Sequence, residues 1–130
     1  MADSLVNLSN PRGNLVFRET AANATLEQDV FSKATSVIYG IKIDASQNSA
    51  EDVYLAIFEN GDAAASGLTV GTDAPIVVVK CRAGRSIEVA LPCGIAAGNG
   101  EFLHACVKTT AGTAGNTNPS GTVEITLLGE

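Results

Sequence analysis

Apolar and polar residues alternate in short runs between residues 35 and 128, and clusters of Gly, Asn, Asp, Ser and Pro separate the runs. Side chains on a strand point to opposite faces in turn, so this spacing predicts half-buried strands rather than helices. In residues 35–44, Val37, Tyr39, Ile41 and Ile43 share one face, while Ile38, Gly40, Lys42 and Asp44 share the other. In residues 52–58, Val53, Leu55 and Ile57 oppose Tyr54, Ala56 and Phe58. Apolar groups on both faces mark a strand that is central or covered by a partner chain. Residues 75–81, PIVVVKC, form the strongest β-branched run, with Pro75 at its first position, where a missing ladder N–H costs least. Ala83, Gly84 and Arg85 then predict a tight reversal into residues 86–91, whose Ile87, Val89 and Leu91 point inward, so the two runs read as a hairpin. Runs at 101–110 and 122–128 follow, the last with Val123, Ile125 and Leu127 on one face.

At least six strands without a long helical period predict an all-β fold, an antiparallel β-sandwich of jelly-roll or immunoglobulin-like type. The length of 130 residues fits one domain with a core of its own. The first 34 residues differ, because their apolar residues (Leu5, Val6, Leu8, then Leu15, Val16 and Phe17, then Leu26, Val30 and Phe31) are too thinly spread for an independent core. The expected organisation is therefore an extended N-terminal arm with possible first strands over residues 1–34 and a sandwich domain over 35–130. Residues 1 to about 10 read as the arm proper. Short strands are conceivable at 13–19 and 25–32, belonging either to the sandwich or to a contact with a neighbouring chain.

Charge narrows the partners. A net charge of -6 with eight Lys and Arg argues against nucleic acid, whose phosphates are bound by clustered cations. Lys80, Arg82 and Arg85 are the one local basic group and read as a solvated turn. The chain start lacks the basic and apolar regions of a secretory signal, and no segment has the ~20 apolar residues that cross a bilayer. The expectation is a protein made in the cytoplasm with no membrane partner. In that setting the sequons at Asn7 and Asn23 carry no meaning. Cys81, Cys93 and Cys106 are odd in number and widely spaced, which suits neither a disulfide framework nor paired zinc ligands, so they read as reduced packing residues.

Candidate chemistry is sparse. The single histidine, His104, shares a strand face with Cys106. Residues two apart on a strand stand roughly 6–7 Å from each other, and no nearby acid or carboxamide orients a nucleophilic pair. Packing is the preferred role for both. Asp44, Glu51, Asp52, Glu59, Asp62 and Asp73 fall near strand ends without the spacing of a calcium loop and read as rim charges. The segments GIAAGNG and TAGTAGNTNPSG open no helix and lack the lysine of a phosphate loop. Expected catalytic, cofactor-binding and metal residues are thus none, and the function expected is non-enzymatic.

From residue 37 to 127 the chain contains, in order, IYGIKIDAS, EDVYLAIFENGDA, TVGTDAPIVVVKCRAGRSIEVALPCGI and LHACVKTTAGTAGNTNPSGTVEITL. This succession covers about two-thirds of the sequence, and VGTDAP followed by a β hairpin is its most specific part. It resembles the small virion structural proteins of tailed bacteriophages, of the capsid decoration or cement type. It departs from them at Cys81, where they more often carry an aliphatic residue, and at Cys93 after Pro92. The resemblance implies a homo-oligomer on the capsid surface, bound to the major capsid protein and stabilising its shell, without cofactor. Shells present three-fold sites, so a cyclic trimer is expected. Its interface is expected at Leu5, Val6, Leu8, Leu15 and Phe17 of the arm and at Tyr54 and Phe58 of the doubly apolar strand. The alternatives are a phage tail or head-fibre module, including one that binds host carbohydrate, and a cellular lectin-like sandwich. Sugar sites favour exposed aromatic platforms, and most aromatics here fall on expected core faces.

Overall fold

The alternating runs become seven strands: β1 Leu15–Glu19, β2 Val37–Gln47, β3 Val53–Asn60, β4 Val77–Cys81, β5 Ser86–Ala96, β6 Phe102–Lys108 and β7 Thr122–Gly129. The structure is a computed structural model that describes residues 14–130. The strands build two antiparallel sheets packed face to face, one ordered β1-β7-β2-β5 and the other β4-β3-β6. The division into four and three strands matches an immunoglobulin constant domain, but the order does not. There the last strand lies in the sheet of the third and sixth, whereas here β7 lies between β1 and β2.

The core lies between the sheets. Ile41, Ile43, Val123, Ile125 and Leu127 from the four-stranded sheet meet Val53, Leu55, Ile57, Leu103, Ala105 and Val107 from the other, and all are buried. The alternation along β2 is interrupted by a bulge: the register with β7 shifts between Ile38 and Gly40, with Ile38 opposite Gly129 and Gly40 opposite the adjacent Leu128. The extra residue, Tyr39, reverses the phase. Ile38 therefore joins the core, and Val37 and Tyr39 are left half-buried, contrary to the uniform alternation expected from the sequence. On the β5 side, Gly94 at φ 74° leaves room for Val37 and Tyr39.

The expected β4–β5 hairpin is not one. β4 pairs with β3, and β5 pairs with β2, so residues 82–85 arch from one sheet to the other. The arch runs beside the β2–β3 connection and is tied to it: Gly84 donates its N–H to the Asn48 carbonyl at 2.9 Å, Ala83 to Asp52 Oδ1 at 2.9 Å, and Ala45 to the Arg85 carbonyl at 2.8 Å. Buried Cys81 fills the corner. Both runs still turn alternate residues towards the core, but from opposite sheets, and periodicity alone does not separate the two cases.

Residues 14–34 are part of the sandwich. All five residues of β1 pair with β7, and Leu15 and Phe17 pack against the core. Residues 20–36 then run as a strap along β6, the edge of the three-stranded sheet. Glu27 and Ala105 exchange backbone hydrogen bonds at 2.7 and 3.0 Å, Val30 donates to Leu103, Val107 to Asn23, and Thr35 to Glu101. Positive φ at Asp29, Ser32 and Thr35 keeps the strap from becoming the strand expected at 25–32. Ala22, Val30 and Phe31 nevertheless bury their side chains in the core. Residues 1–13, and with them the expected arm of residues 1–10, lie outside the described residues.

Candidate functional site

β6 places His104, Cys106 and Lys108 opposite Phe58, Ala56 and Tyr54, on the outer face of the three-stranded sheet. His104 is fully buried. Its Nδ1 accepts the Asp29 N–H at 2.9 Å, which leaves the proton of the neutral ring on Nε2, donated to Asn60 Oδ1 at 2.8 Å. Both nitrogens are committed to holding the strap and the end of β3, and neither serves Cys106. Burial holds the His104 pKa below its ordinary value against the opposing charges of Asp29 and Asp62. Burial pushes the Cys106 thiol up to about 11, so it stays protonated at neutral pH.

Lys108 is the residue that sequence reasoning missed. Its side chain is fully buried, and Nζ donates to the carbonyls of Gly112, Thr113, Ala114 and Gly115 at 2.8–3.2 Å. The Gly-rich tract over residues 112–115 is thus wrapped around an ammonium group. The available signal was a lysine in the outward phase of a run otherwise buried on both faces, directly ahead of a Gly-rich segment.

The carboxylates expected as rim charges hold turns. Glu51 accepts the Ser120 N–H at 2.7 Å and its hydroxyl at 2.8 Å, and these bonds lower its pKa. Asp52 takes the Ala83 N–H and pairs with Lys80 at 3.3 Å. Asp44 accepts from the Ser46 N–H and the Ser86 hydroxyl, and hydrogen bonding, from Ser46 foremost, lowers it to about 2. Among the described residues no group of three His, Cys, Asp or Glu side chains is gathered to hold a metal ion. Lys80, Arg82 and Arg85 line an open depression at the β4–β5 arch together with Ser86 and Ile87.

Of the expected interface residues, Leu5, Val6 and Leu8 lie outside the described residues. Leu15 and Phe17 turn inward from β1 and are half-buried against the core. Phe58 is 1% exposed and lies with Ala56 and Cys106 in a second small core, under Leu26, Leu68 and Val70. The doubly apolar strand is therefore central in its sheet and covered by its own chain, which corrects Phe58 as a partner contact. Tyr54 stays half-buried between Lys80 and Lys108 in the register.

The open surface lies on the other sheet. Register places Val16, Leu128, Gly40 and Ala90 in one row across all four strands, and Arg18, Thr126, Lys42 and Glu88 in the next. Val16 is 65% exposed and Leu128 41%. Beside Leu128 the missing side chain of Gly40 helps to form a depression of about 330 Å³, lined by Tyr39, Lys42, Glu88, Ala90 and Thr126. Arg18 pairs with Glu124 at 2.7 Å, and Lys42 approaches Glu88 at 3.9 Å.

No protein-family model matches the chain, and no curated protein is similar to it. Among the described residues, the first row on this sheet face displays apolar side chains, Val16 and Leu128, that the fold leaves exposed.

Proposed function

We propose that the protein is a non-enzymatic structural component of a virus particle, a decoration or cement protein that binds the outer surface of the major capsid protein shell as a homo-oligomer and stabilises it. The observation that carries this reading is the row Val16, Leu128, Gly40, Ala90, which the described residues leave open on the four-stranded sheet. Contiguous apolar groups left in water on such a platform suit a protein that works through contacts. The segments that carry the phage-protein resemblance supply β2 to β7, with VGTDAP leading into β4. Weak contacts repeated over an oligomer reinforce one another, raising avidity by roughly 10² to 10⁴ without any single strong site. The test is co-sedimentation of the purified chain with shells that lack it. Saturable binding and a higher shell melting temperature are expected, and no binding at saturating protein would refute the proposal.

A second reading draws on the same face. Half-buried Tyr39 beside Lys42, Glu88 and Thr126 offers an aromatic edge with polar groups around a depression, the composition of a carbohydrate site on a tail or fibre module or a lectin-like sandwich. Glycan binding abolished by Tyr39→Ala would favour that reading over decoration.

A further inference from the structure

We infer that the outer face of the four-stranded sheet is a two-fold contact for a second copy of this chain. This rests on reading the face as a contact surface and on no property of a capsid. The row that crosses the sheet runs from large to small: Val16 on β1, Leu128 on β7, Gly40 on β2, Ala90 on β5. Two sheets stack face to face when a two-fold axis lies between them, parallel to the strands. With that axis between β7 and β2, β1 lies on the partner's β5 and β7 on the partner's β2. Val16 then covers the partner's Ala90, and Leu128 enters the depression over the partner's Gly40. Each large side chain meets a small one.

The next row is complementary in charge under the same operation. Arg18 faces the partner's Glu88, and Lys42 faces the partner's Thr126, each contact occurring twice in the pair. The third row is unfavourable, since Glu124 faces the partner's Asp44. The roughly 30° angle between packed sheets separates rows away from the crossing point, so this third row is held further apart. An axis perpendicular to the strands fits worse, because it sets Leu128 against the partner's Leu128 and leaves Gly40 facing the partner's Gly40. The surface therefore favours two-fold pairing over the cyclic trimer expected from the resemblance.

Four strands about 4.8 Å apart and three rows about 7 Å apart give a face on the order of 400 Å². That is half of the roughly 800 Å² per partner in a standard stable complex, so the pairing is weak. Sedimentation of the purified chain across roughly 1 μM to 1 mM covers the range in which such a contact fills. The expected result is a monomer–dimer equilibrium in which Arg18→Glu weakens association roughly 10-fold and Glu88→Arg in the same chain restores it. In a Cys93→Ser background, Val16→Cys with Ala90→Cys is expected to oxidise to a covalent dimer, which neither single substitution forms. A monomer at the highest loading, a trimer, association unmoved by Arg18→Glu, or equal cross-linking by a single cysteine would each overturn the proposal. No virion component enters these measurements, so a dimer that binds no shell refutes the capsid reading alone.

Discussion

His104 couples protonation to the strap, because its neutral ring accepts from Asp29 and donates to Asn60 while buried. A histidine pKa lowered by folding means that the unfolded chain binds the proton more readily. The stability it contributes is complete above the unfolded value of about 6.5 and is lost as pH falls from there through the lower folded value. Urea midpoints measured from pH 7.5 to 5 should therefore drop, and His104→Gln should flatten that drop while lowering stability at pH 7.5. Phe58 separates a core role from a surface one. Buried under Leu26, Leu68 and Val70, its change to Ala should cost about 3–5 kcal/mol in the isolated chain at any protein concentration. A partner-facing phenylalanine would leave the isolated chain nearly unchanged. Lys108→Met leaves four carbonyls without their shared donor, and a loss of about 1–3 kcal/mol is expected, with protease cleavage appearing within residues 111–117. Denaturation and limited proteolysis of the one variant check both effects.

Among the elements, the strap protects the structure from its own edge. β6 would otherwise present open N–H and C=O groups, the usual template for unwanted pairing. Residues 23–35 occupy four of those groups, those of Leu103, Ala105 (both N–H and C=O) and Val107, and also the Glu101 carbonyl just ahead of the strand. Glu27→Pro deletes the N–H that Ala105 accepts, so amide exchange at Ala105 and Val107 should rise 10-fold or more, as NMR can follow. The strap also shows where sequence reasoning stops. Alternation at 35–44, 52–58, 75–81, 86–91, 101–110 and 122–128 was enough to anticipate the strands and the sandwich, because each has one face in the core. It reports a face and not a sheet, so the arch at 82–85 looked like a hairpin. It assumes unbroken pairing, and so it places Tyr39, which lies in a bulge, on the wrong face. Backbone hydrogen bonds leave no pattern in side-chain hydropathy, so hydropathy does not decide between arm and sandwich for the strap.

At the scale of the whole molecule, the candidate contact surface was not legible at all. Val16, Gly40, Ala90 and Leu128 are far apart in the chain and become a row only through the register of three strand pairs. The residues expected at a partner contact were chosen for being apolar, and that criterion selects core as readily as surface, as Phe58 demonstrates. Mapping exposure onto the sheet moves the proposed contact from β3 to the outer face of β1, β7, β2 and β5. The apolar row, given above to a second copy of the chain, supports a protein that works through contacts, and the proposed attachment to a virus shell rests on the order of the resembling segments. The copy number of this chain in purified particles, measured by quantitative mass spectrometry against the major capsid protein, tests this most directly. Decoration predicts a number comparable to that of the major capsid protein, whereas a handful of copies, or none, would contradict it.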